Sequence, residues 1–102
     1  MLKVLYNKAE VLSEVEKEIA NTKYGDFPSW EHGLAVLQGA IRDTKSETRS
    51  VDLWMEEAWG DYQRNAFDKD IYIGIKKNAL MLASEAILVA AMAQKMLDFS
   101  ED

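Results

Sequence analysis

The chain has 102 residues, no cysteine and a formal charge of −6; this fits one domain and excludes a disulfide framework or thiolate metal site. The acidic balance argues against nucleic-acid binding, which needs a basic footprint to neutralise phosphates. With 48% hydrophobic residues, three Trp and five Met, the chain has ample apolar material for so small a domain, and part of it is expected to lie between subunits.

Helical spacing dominates from the start. Val4, Leu5, Val11, Leu12, Val15 and Ile19 recur at intervals of three, four and seven, with Glu10, Glu14, Lys17 and Glu18 between them, which predicts an amphipathic first helix. The opening Met-Leu-Lys-Val-Leu-Tyr-Asn lacks the charged, apolar and small-residue regions of a signal peptide. Gly25 and the chain's only proline, Pro28, mark a loop. Ser29 is placed to cap a second helix from about Trp30 to Arg42, because its hydroxyl can accept from a free first-turn N–H. Trp30, Leu34, Leu37 and Ile41 form one face of that helix.

The stretch from Asp43 to Ser50 is uniformly polar and is expected to be a loop. A third helix then starts near Ser50 and Asp52. It carries Val51, Trp54, Met55, Ala58 and Tyr62 on one face and ends near Phe67. Asp68 or Asp70 caps the last helix. Ile71–Ile75 alternates like a strand, but with no second strand candidate it reads as the first turns of a helix reaching about Leu97.

"ALMLASEAILVAAMA", Ala79–Ala93, is apolar nearly all round. It is too short and too interrupted to span a bilayer, which takes about 20 apolar residues; a cytoplasmic protein with no membrane contact is expected. A helix of this kind is buried on all sides, so the expected fold is an all-α, four-helix bundle completed by homo-oligomerisation.

Glu85 stands inside this apolar run. A carboxylate there has an ion-pair or solvent, or else a metal or a raised pKa. On the third helix Glu57 and Asp61 are four residues apart and share a face with Glu56 nearby. Two such carboxylates suit Mg²⁺, a hard cation that keeps several waters. They equally suit a solvated acidic face paired with Arg64. His32 is the only histidine, and without Cys or a second His it makes a poor zinc site. It reads as a surface or capping residue.

Two segments, "EVEKEIANTKYGDFPSWEHGLAVLQ" (Glu14–Gln38) and "SEAILVAAMAQKML" (Ser84–Leu97), resemble the smaller, phage-type members of the MazG-like all-α nucleoside triphosphate pyrophosphohydrolases. The resemblance covers roughly half to two-thirds of the chain and implies a Mg²⁺-dependent cleavage of a nucleoside triphosphate to the monophosphate and pyrophosphate. In that family two adjacent Glu and a third acid three residues on share the metal with a later Glu and an acid or amide three residues beyond it. Here the paired positions are Gly39 and Ala40, the third is Asp43, the later Glu is Glu85 and its companion is Leu88. The resemblance therefore implies a site rebuilt from Asp43, Glu57, Asp61 and Glu85 around Mg²⁺, with Glu57, Asp61 and Glu85 doing the chemistry. Its alternatives are a fold kept without catalysis, binding a nucleotide or a protein, or a plain assembly module.

Overall fold

The computed structural model describes residues Leu2–Glu101, and these are helical throughout apart from two short connections. Helix α1 spans Leu2–Tyr24, α2 spans Trp30–Gln63 and α3 spans Lys69–Glu101. No strand occurs among the described residues, and Ile71–Ile75 lies inside α3.

The loop between α1 and α2 follows its residues. Gly25 takes φ 74°, and Ser29 is extended (φ −157°, ψ 162°), its hydroxyl accepting from the His32 N–H at 3.1 Å. The second connection is equally short. Asn65 has φ 53°, and Asp68 Oδ1 accepts from the Asp70 N–H at 2.9 Å, starting α3.

The expected break at residues 43–50 is absent. The described residues form three helices, one of which joins the anticipated second and third. Nothing between Asp43 and Ser50 is Gly or Pro, the two residues that interrupt a helix. Thr44, Thr48 and Ser50 return their hydroxyls to carbonyls one turn back, so the polar side chains do not compete with the backbone. Ser50 is thus an interior residue and caps nothing.

Packing supplies the stronger reason. Gly33, Leu37, Ala40, Thr44, Glu47, Val51, Trp54, Ala58 and Asp61 run along α2 at alternating intervals of four and three, and all are buried or half-buried. On α3, Ile71, Ile75, Asn78, Leu82, Glu85, Val89, Met92, Met96 and Phe99 do the same. This is the spacing of a coiled-coil seam. Met96 lies against Gly33, and Trp54 lies against Gly74 and Asn78, so the two helices form an antiparallel hairpin. The apolar face expected across Val51, Trp54, Met55, Ala58 and Tyr62 is divided: Val51, Trp54 and Ala58 enter the seam, while Met55 and Tyr62 are exposed.

Helix α1 packs on the C-terminal half of α3. Lys17 Nζ pairs with Asp98 at 3.3 Å, and the buried Lys95 donates to the Gly25 carbonyl at 3.0 Å, 4.5 Å above the Phe27 ring. Residues Leu2–Lys8 are exposed throughout.

The result is elongated, 59 × 29 × 20 Å, with a radius of gyration of 17.4 Å, against about 13 Å for a compact domain of this length. The chain exposes 7981 Å², roughly 2,100 Å² more than the ~5,800 Å² expected of a folded monomer of its mass. Helix α3 is not enclosed. Leu80 is 61% exposed and Leu97 57%. By length and composition alone, Lys69–Ser100 meets the measure of a helix able to cross a membrane.

Candidate functional site

The hairpin brings Glu85 to the level of Thr44. On either side of that level stand Asp43 and Glu47, one helical turn apart on α2. Glu85 as a whole is half-buried, but its Oε2 is shielded from solvent and has no hydrogen-bond partner. Desolvation in the seam raises its carboxyl above the ordinary range, and the charges of Glu47 and Asp43 add to the rise.

Glu47 belongs to a defined network. Asn78 Nδ2 donates to Glu47 Oε2 at 2.8 Å, and Trp54 Nε1 donates to Asn78 Oδ1 at 2.9 Å. Two polar seam residues, one from each helix, are thereby tied to an indole. A buried polar pair that is satisfied in only one alignment fixes the register of a coiled coil.

Asp43 and Glu85 therefore sit at neighbouring levels across the hairpin, whereas Glu57 and Asp61 do not join them. At about 1.5 Å per residue they lie about 20 and 25 Å further along α2. Asp61 is half-buried and hydrogen-bonded to Arg64. Glu57 is exposed and lines an open hollow with Trp54, Gly60 and Arg64. His32 is exposed in the first turn of α2, its ring centroid 6.1 Å from that of Phe27.

Glu47 is the site residue that sequence reasoning missed. It lay in the presumed loop, and only a continuous α2 places it two seam positions before Trp54 in the direction of Asp43. The signal was available: the four-three spacing crosses residues 43–50 without a skip.

Among the described residues, no three His, Cys, Asp or Glu side chains converge closely enough to hold a metal ion. Asp43, Glu47 and Glu85 do not fit Mg²⁺ as a preformed three-acid cradle, and one Glu47 oxygen is already engaged by Asn78. The positions of the family's paired glutamates remain Gly39 and Ala40, and at Gly39 a side chain would meet nothing within 4 Å.

No family model, no curated protein and no solved structure matches the chain. The likeness to the MazG-like group rests on the two quoted segments.

A second feature lies where α1, α2 and α3 meet. A groove of about 490 Å³ is lined by Ile19 and Lys23 of α1, His32 and Val36 of α2, and Leu88 and Met92 of α3. It is lined mainly by apolar side chains, Phe27 among them. No carboxylate of the seam cluster faces it.

Proposed function

We propose that this chain is a non-catalytic module of MazG-like type that works in the cytoplasm by binding protein, its own copies included. The observation that carries this reading is the roughly 2,100 Å² of surface beyond a monomer's share. It matches what each chain of a large, obligate interface gives up. The acid set supports it from the other side: of the family's positions only Asp43 and Glu85 keep carboxylates, and Glu85 holds its proton more tightly than an ordinary glutamate.

One observation favours a second reading, pyrophosphohydrolase activity on a nucleoside triphosphate. Asp43 and Glu47 both bear electrostatically on Glu85, so negative charge is concentrated at the level where the family keeps its chemistry.

The deciding experiment is pyrophosphate release from the common NTPs and dNTPs with Mg²⁺, using the chain and its Glu85→Gln variant. The binding-module reading expects no release above background from either. Release that Glu85→Gln abolishes would establish the second reading. Release that survives the substitution would place a catalytic site away from the seam and overturn both.

A further inference from the structure

On both helices of the hairpin, the residue that follows a seam position points about 100° round from it. Because α2 and α3 are antiparallel, these two sets emerge on the same side. On α2 they are Leu34, Gln38, Ile41, Lys45, Thr48, Asp52, Met55, Trp59 and Tyr62, and every one is exposed. On α3 the set includes Tyr72, Lys76, Ala79, Ala83, Ala86, Ala90 and Leu97, again all exposed. Helix α1 and the groove lie on the other side, with Leu88, Met92 and Lys95. The hairpin thus presents a long two-helix face, apolar at both ends of α2 and mostly small along α3, with no other described residue of the chain upon it.

The α2 stripe reads nearly the same in both directions about Thr48. Set antiparallel against itself, it places Ile41 opposite Met55, Leu34 opposite Tyr62 and the polar Gln38 opposite Trp59. The only two charged residues in the stripe, Lys45 and Asp52, fall opposite each other with unlike sign. Such self-complementarity is what a two-fold axis demands, since each contact must occur twice with its partners exchanged. The small residues of α3 let the second pair of helices approach closely.

Resting on the protein-binding reading above, we propose that the partner is a second copy of this chain, docked face to face with α2 antiparallel to α2 of the second copy and the two-fold axis passing beside Thr48. Two hairpins then make one four-helix bundle, in which every adjacent pair of helices is antiparallel. The area supports a whole-face contact: the surplus of roughly 2,100 Å² per chain exceeds the ~800 Å² per partner of a standard interface.

The absence of native cysteine makes the test direct. Thr48→Cys places two thiols beside the axis, and mild oxidation of the otherwise intact chain should give a covalent dimer in high yield. Ser46→Cys, exposed on the opposite side of α2, should stay reduced. Lys45→Glu and Asp52→Lys should each weaken the dimer several-fold in sedimentation, and the double exchange should restore it. Helix content by circular dichroism separates loss of pairing from loss of folding. A dimer that gives no Thr48→Cys disulfide, or that cross-links equally through Ser46→Cys, overturns the face and register while leaving the protein-binding reading intact. A stable monomer whose solution scattering matches 17.4 Å overturns this inference; the nucleotide assay then judges the broader reading separately. Flotation of the chain with neutral lipid vesicles, in place of self-association, would assign the same apolar face to a membrane and overturn the inference.

Discussion

The glycines show how far a single methyl group can matter along α2 and α3. At Gly74 a Cβ would overlap the Trp54 indole, which also donates to Asn78. Gly74→Ala is expected to destabilise the chain by about 1–3 kcal/mol, the usual effect of overpacking. At Gly39 a Cβ meets open space, so Gly39→Ala should stabilise by about 0.5–1 kcal/mol through helix propensity alone. Urea titration of the two variants checks both signs. Glu85 adds a dependence on pH. Its folded-state pKa is raised above the ordinary 4.5, so well below 4.5 both folded and unfolded chains hold the proton. As pH rises from that point towards the raised folded value, the unfolded chain loses its proton first and stability falls. Above the folded value the penalty is complete and constant. Glu85→Gln should flatten this decline, measured as the urea midpoint against pH. Asp98 acts oppositely and lower: hydrogen bonding from Gln94, with Lys17 assisting, holds it below 3.8, so its contribution is lost as acid is added beneath that value.

Each helix depends on a different kind of support. The start of α2 rests on one hydroxyl, and Ser29→Ala should cost about 1 kcal/mol, the ordinary worth of an N-cap. Helix α1 rests on Lys95, whose ammonium satisfies the Gly25 carbonyl from inside the α1–α3 junction. Lys95→Met leaves that carbonyl without its partner, at about 1–3 kcal/mol. Hydrogen exchange should quicken in α1 before it quickens in the hairpin. The ends of these helices were legible in the sequence, because Gly25, Pro28, Ser29 and Asp68 are local signals. The middle of α2 was not. A run of Asp, Thr, Lys, Ser and Arg looks like a loop by composition, and only contact with α3, with Asn78 31 residues after Glu47, makes Thr44 and Glu47 seam residues. The same long-range pairing hid Glu47 as Glu85's neighbour and made Glu57 and Asp61 look closer to it than they are.

At the scale of the whole molecule, the apolar excess was legible and its arrangement was not. Composition announced more hydrophobic material than 102 residues can bury, and the anticipated four-helix core is a three-helix chain with an open side. Hydrophobic residues at helical spacing signal a buried face without saying which molecule buries it. Trp30, Leu34, Leu37 and Ile41 read as one face in the sequence, yet the structure divides it: Leu37 enters the seam, while Leu34 and Ile41 are exposed and Trp30 is 66% exposed.

The brief link of Arg64–Asp68 between the two long helices also carries a consequence for how the chain folds. Contacts near that turn close small loops, and closing a loop costs more entropy as it lengthens. Trp54 and Asn78 are 24 residues apart, whereas Gly33 and Met96 are 63 apart in sequence. The hairpin should therefore zip from its turn, meeting the Trp54–Asn78–Glu47 network before it reaches Glu85. By the time the acidic level forms, the alignment of the helices is already decided. Variants of Asn78 should slow refolding, whereas Met96→Ala should chiefly speed unfolding, a division that stopped-flow kinetics can read.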